Sequence, residues 1–293
     1  MAKYTLNNSY DIDEVFNNVD LNAESLQLLN DRHVVKYRTK TIKSGNIVEC
    51  EIYPIWDTRS AYSRAKKTKE SRDAQKRLNA KNTLKKAIRL VNANFTDNDY
   101  WATFTYKDDK LPKSVEQAER EMAKFIRRLR DYAAKHNFPE LKYFYTTEFN
   151  DDPSRKKIRV HHNLIFNFPD RDIAEELWRN GGRNSIRRLV ADDNGYEGLV
   201  RYISKDPRGS KSYVTSRNLK KPQITVADCK LTRRRVWRVT SGLVTPQSIF
   251  EPMFKGKCRL TSFTAKTSNY VTGAYLYAKM IIKPEVKYEK RKE

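Results

Sequence analysis

The sequence predicts an α+β protein built on an antiparallel sheet with helices packed against it. Three observations predict this. Residues 157–166 alternate with a period of two, with Ile158, Val160, His162, Leu164 and Phe166 set against Lys157, Arg159, His161, Asn163 and Ile165. Val115, Ala118, Met122, Phe125, Ile126, Leu129 and Ala133 recur every three or four residues, as on an amphipathic helix. Between Tyr100 and Lys205 the element order reads β-α-β-β-α-β-α, which suits one antiparallel sheet with packed helices.

Taken in order, residues 1–32 are polar and poorly periodic, with one short helix around Asn22–Leu29. Residues 33–39 and 47–55 are β-favouring and flank Ser44-Gly45-Asn46, a hairpin signal. From Ser60 to about Asn92 the chain lacks Pro and Gly and is rich in Ala, Lys, Arg and Gln, which fits one long basic helix or two shorter ones. Tyr100–Tyr106 is almost wholly β-favouring and stops before Asp108-Asp109-Lys110-Leu111-Pro112. Ser114-Val115-Glu116-Gln117 has the form of a capping box and opens the amphipathic helix. Leu141–Phe149 forms a strand, Asn150–Ser154 a turn, and residues 157–166 return antiparallel. Arg171–Arg179 is helical, Ser185–Ala191 extended and Gly195–Lys205 helical, stopped by Pro207-Arg208-Gly209. Beyond, Ser212–Thr215 and Arg235–Thr240 favour strand, Tyr270–Ile282 is an apolar run, and Lys287–Glu293 frays.

Charge narrows the function. The 293 residues hold 59 Lys+Arg against 36 Asp+Glu, a net +23, with 38% hydrophobic and 11% aromatic residues to supply a core. Residues 59–90 hold 12 Lys/Arg with only Glu70 and Asp73 as acids, and residues 201–238 hold 12 with only Asp206 and Asp228. Tyr62, Tyr202, Tyr213 and Trp237 are interleaved with these runs, the makings of a phosphate-tracking surface. The expected partner is nucleic acid rather than membrane, since no apolar run reaches the length of a span and the N-terminus lacks a signal-peptide core. Cys50, Cys229 and Cys258 form neither a disulfide framework nor a zinc knuckle, so a reducing cytoplasm is expected.

Side chains at i and i+2 of a strand project from one side, so His161 and Asn163 can meet one ion while His162 faces the core. On this stretch alone, a half-buried strand whose polar face meets solvent fits as well. Glu148 closes the preceding strand. Carboxylate, imidazole and amide carbonyl together suit a hard divalent ion, Mg²⁺ or Mn²⁺ before zinc. On the helix after Gly195, residues Tyr196, Leu199, Val200 and Ile203 make the buried stripe. Tyr202 lies off it, Lys205 lies three residues on, and Gly198 leaves open space one turn before.

In order, Thr103-Phe104-Thr105-Tyr106, Glu148, His161-His162-Asn163 and Tyr202-Ile203-Ser204-Lys205 resemble the motifs of the HUH rolling-circle replication initiators. The likeness is to replication-associated proteins of small single-stranded DNA phages, plasmids and integrative elements. It extends over about residues 70–225, taking in Gln75–Phe95 and Ser216–Pro222. The resemblance implies an RRM-like sheet (the HUH endonuclease fold) with N- and C-terminal additions. It divides the chain into residues 1–95, a hairpin and basic helical extension, 96–210, the endonuclease domain, and 211–293, a C-terminal extension packed on the core.

It further implies that Tyr202 attacks a phosphate of single-stranded DNA at a replication origin, leaving a 5′-phosphotyrosine and a free 3′-OH. His161, Asn163 and Glu148 would hold the ion and Lys205 would position the phosphate or tune the tyrosine. Lys157, Arg159, Arg201, Arg208 and Lys211 would track the DNA in a bacterial host cytoplasm, where a helicase and single-strand-binding protein would be further partners. The departure is Asn163, which stands where the family's second His usually stands. The competing readings are a related relaxase or transposase, and a non-catalytic RRM-like module stacking bases on Tyr100, Trp101, Phe104, Tyr143 and Tyr145.

Overall fold

The computed structural model describes residues 16, 34–56, 72–150, 158–205, 211–268 and 272–284, without the side chains of 72–76 and 150. The expected helix at Asn22–Leu29, Tyr62, the turn after Asn150, Lys157, the Pro207-Arg208-Gly209 stop, Tyr270 and the frayed end Lys287–Glu293 lie outside the described residues. In chain order the elements are β1 (Val34–Ser44), β2 (Ile47–Trp56), α1 (Arg72–Asn94), β3 (Tyr100–Phe104), α2 (Val115–Lys135), β4 (Tyr143–Asn150), β5 (Ile158–Phe166) and α3 (Arg171–Leu177). They continue with β6 (Ser185–Arg188), α4 (Glu197–Ile203), β7 (Val214–Thr215), β8 (Gln223–Asp228), α5 (Arg233–Thr240), α6 (Pro246–Met253), β9 (Cys258–Lys266) and β10 (Tyr275–Ile282). Helices and two antiparallel five-stranded sheets make the fold α+β.

The chain separates into two compact units, Met1–Asn79 with Gln223–Glu293, and Ala80–Pro222. This differs from the three-part division expected from the sequence. The two ends of the chain, read as separate extensions, supply one sheet in the order β8-β1-β2-β10-β9. The β1–β2 hairpin turns through Gly45, whose φ of +59° suits the first central position of a type II′ turn. β10 then pairs with β2, and β8 with β1. Tyr37, Ile52, Trp56, Phe250, Tyr275 and Met280 fill the core beside this sheet. Residues 235–240, read as strand-favouring for their Val, Trp and Thr, are helical instead, within α5. Thr232 caps them by accepting from the Arg235 amide at 3.3 Å, and Val236, Val239 and Thr240 fall on one buried face.

In the second unit the sheet order is β6-β3-β5-β4-β7. Ser114 caps α2 by accepting from the Gln117 amide at 3.2 Å, while Gln117 Oε1 accepts from the Lys113 amide at 2.9 Å. That reciprocal bond falls one residue earlier than in the usual capping box. Ala118, Met122, Phe125, Ile126, Leu129 and Ala133 of α2 are buried against Phe104, Tyr145, Val160, Leu164 and Phe166. The sheet's other face is covered too. Ala87, Ile88 and Val91 of α1, with Val200 and Ile203 of α4, bury Phe144 and Ile165. β5 is therefore a core strand on both sides at its C-terminal end, although its alternation alone suggests one wet face.

Candidate functional site

The face of the sheet beneath α1 and α4 changes character along its length. Register places Trp101 and Phe144 beside Ile165, Thr103 and Thr146 beside Asn163, and Glu148 beside His161. Because directly paired residues point to the same side, the apolar end lies under the helices and the polar end runs out beyond them. Glu148, His161 and Asn163 are thus brought together by strand pairing alone.

A hydrogen-bond chain crosses three strands there. Thr103 Oγ1 donates to Asn163 Oδ1 at 2.9 Å, and Asn163 Nδ2 donates to Glu148 Oε1 at 2.9 Å. His161 Nε2 faces Glu148 Oε2 at 3.4 Å, and His161 Nδ1 donates to the Arg159 carbonyl at 3.0 Å. Burial alone would depress the His161 pKa, but the Glu148 carboxylate and the Arg159 carbonyl outweigh it and hold it above the ordinary value. Asn163 is 2% exposed, so its amide is held without competition from water.

His162 points the other way, into the core between Tyr106 and Thr147. Its Nε2 lies 2.7 Å from the Tyr106 hydroxyl and its Nδ1 2.9 Å from Thr147 Oγ1, so a neutral imidazole gives each hydroxyl one donor or acceptor nitrogen. Burial, with the neighbouring His161 as a lesser cause, pushes its pKa down to about 3. Burial also raises the pKa of the Tyr106 phenol beside it.

Tyr202 stands on the last turn of α4 and is 66% exposed. Two contacts tie this end of α4 to the sheet. Thr146 Oγ1 donates to the Ile203 carbonyl at 2.7 Å, tying the end of α4 to the residue that pairs with Asn163. The Tyr202 ring meets the Trp101 ring edge-on with centroids 6.4 Å apart. Position 198 faces open space, since a Cβ there would meet nothing within 4 Å. At the other end of α4, Tyr196 is buried. Its amide donates to Asn92 Oδ1 at 2.8 Å and its hydroxyl to Asp97 Oδ1 at 2.9 Å. Burial and that carboxylate raise its pKa, and it serves the core.

The cationic residues fare unequally. Arg159 bonds the Tyr106 carbonyl at 2.6 Å and pairs with Asp108 at 2.6 Å, which ties the loop after β3 to β5 and leaves it less free for phosphate. Arg201 pairs with Glu197 one turn away at 2.6 Å. Lys205 and Lys211 are exposed. Lys157 and Arg208 lie outside the described residues. Nothing in the sequence singles out Thr146, and Trp101, a base-stacking candidate by sequence, is instead the ring neighbour of Tyr202. Alternation puts Thr103 and Trp101 on one face, but only the register reveals which β5 residues they meet.

Whether a divalent ion fits can be judged from the donors. Among the described residues no three His, Cys, Asp or Glu side chains cluster, so any ion here would rest on two such groups and an amide. The Glu148 Oε2 and His161 Nε2 atoms face each other at 3.4 Å, close to the spacing of about 3.0–3.5 Å between neighbouring ligands of one ion with bonds near 2.1 Å. The donation of His161 Nδ1–H to a carbonyl leaves Nε2 with its lone pair available. Those two residues fit. Asn163 turns its NH₂ toward Glu148, and its carbonyl reaches the site only if the amide turns over. The Thr103 hydroxyl permits this, because it can accept as well as donate.

Residues 99–207 match the family model of the ORF2-type replication-associated proteins, a segment that runs from just before β3 to just after α4. This segment is similar to that family, and the match supports a replication initiator. No curated protein and no solved structure matches the chain. No helix among the described residues is long and apolar enough to cross a membrane.

Proposed function

We propose that residues 99–207 nick and rejoin single-stranded DNA at a replication origin, with Tyr202 as the nucleophile. The observation that carries this is the 2.7 Å bond from Thr146 to the Ile203 carbonyl, which ties the residue after the exposed Tyr202 to the strand position that pairs with Asn163. In the reaction the phenol gives up its proton, its oxygen forms a bond to phosphorus, and the bond from phosphorus to the 3′ oxygen breaks. The 3′ oxygen takes up a proton, leaving a 5′-phosphotyrosine and a 3′-OH fit to prime synthesis. A phenol with an ordinary pKa near 10 is a weak nucleophile at neutral pH, so the site must stabilise charge on the phosphate.

Bound Mg²⁺ or Mn²⁺ would neutralise that charge, held by His161 and Glu148 with the Asn163 carbonyl as third donor. Thr103 then acts as a positioning residue for the amide. Lys205, exposed beyond the end of α4, is the cation available to the reacting phosphate.

Tyr202→Phe tests the reading. Incubated with single-stranded oligonucleotides from the DNA flanking its own gene plus Mn²⁺, the native protein should give a covalent adduct. The variant should give none while binding the same DNA within about twofold. An adduct formed by the variant removes Tyr202 from this role. A binding module without chemistry is the second reading, favoured by the orientation of Asn163, whose amide already satisfies Thr103 and Glu148. Binding that ignores EDTA, without any adduct, would decide for it.

A further inference from the structure

The unit formed by the chain's two ends holds a cavity of about 320 Å³ beside α5 and α6. Lys230, Arg235 and Arg238 line it together with Val244, Ile249 and Met253. No carboxylate lines it, and among the described residues none of the three cations has an ion pair. Arg235 and Arg238 lie three apart on α5, so they rise from one face of the helix, while Val236 and Val239 anchor an adjoining face in the core. Three like charges held together without a counter-charge repel one another, and an anion relieves that cost. The apolar wall asks that this anion also carry a flat or greasy part.

A nucleotide unit meets both demands. A recess at the small end of the range for ligand pockets, about 300–1,000 Å³, admits one unpaired nucleotide but not a base pair within a duplex. We propose that this cavity is a second contact for single-stranded DNA. Phosphate lies on Lys230, Arg235 and Arg238, and a base or sugar lies against Val244, Ile249 and Met253. The choice of DNA as ligand rests on the replication reading above, whereas the cavity and its charge do not.

The experiment uses the full chain carrying both Arg235→Ala and Arg238→Ala, two exposed residues whose loss leaves the core intact. Fluorescence anisotropy with a labelled 20-mer of dT in EDTA, repeated across a salt series, reads affinity without cleavage. The expected result is binding weaker by tenfold or more, with the log–log salt slope smaller by about 1.4, the value for two phosphate contacts on a single strand. Ser248→Trp, which fills the cavity without changing charge, should weaken binding by a similar factor. Unchanged affinity and slope in the double variant would overturn the proposal, as would an equal loss for duplex DNA or normal binding by Ser248→Trp. Adduct formation on a short oligonucleotide covering only the nick should proceed in the double variant as in the native protein. Absence of adduct from both proteins would sink the nicking reading and leave the anisotropy result to judge the cavity separately.

Discussion

Replacing Asn163 with Asp should make the second unit depend on a divalent ion. In the structure Asn163 Nδ2 donates to Glu148 Oε1 at 2.9 Å, a charge-assisted bond contributing about 1.5–3 kcal/mol. In the variant a carboxylate oxygen replaces that donor. Two full charges at that distance repel by about 6 kcal/mol at an effective dielectric of about 20. Rotation of Glu148 and uptake of a proton by one carboxyl relieve part of this, leaving a net destabilisation of about 3 kcal/mol. At about 2–4 °C per kcal/mol, the transition of this unit should fall by about 6–12 °C in EDTA at pH 8. Mn²⁺ should recover most of the loss, because a second carboxylate beside His161 and Glu148 makes a stronger ligand set than the amide. Thermal melts of native and variant protein, each in EDTA and in Mn²⁺, measure all four quantities. If the variant melts with the native protein in EDTA, the Asn163–Glu148 contact is not as described. If Mn²⁺ shifts neither protein, no ion binds at this site.

Two further outcomes follow from single hydrogen bonds. Thr146→Val keeps the shape of the side chain and removes the donor to the Ile203 carbonyl, a cost of about 1–2 kcal/mol in stability. Adduct formation should slow at least tenfold while the dissociation constant for DNA stays within about twofold, and equal loss of both would show Thr146 to be merely structural. His162, with a pKa near 3 in the fold against 6.5 unfolded, contributes stability that is complete above pH 6.5 and declines as the pH falls toward 3. The full loss is about 5 kcal/mol and about 3 kcal/mol by pH 4.5. Urea unfolding of His162→Gln should therefore depend on pH less steeply than the native protein between 6.5 and 4.5, and parallel curves would refute a neutral buried imidazole.

Much of the second unit can be read from its residues because the signals there are local. The buried stripe of α2, the Ser114 cap and the separation of His161 from His162 follow from periods of 3.6 and 2 acting over a few residues. The misreadings have one common source. Val236, Trp237 and Val239 favour strands, yet the Thr232 cap and a core ready to receive one helical face decide for helix. Likewise β5 alternates as though half exposed, yet Ile165 is buried because α1 and α4 cover that side.

By itself, then, the sequence determined the class of fold, the helix that seals one face of the second unit's sheet, and which strand residues share a side. Tertiary structure alone decided that the two chain ends share one sheet. It also decided that Thr103 reaches Asn163 from another strand, that Thr146 holds the helix of Tyr202, and that three cations gather beside Met253. The reason is physical. Periodicity records how a residue relates to its near neighbours, whereas strand order and register are set by long-range pairing and shared burial, which no short window of sequence contains.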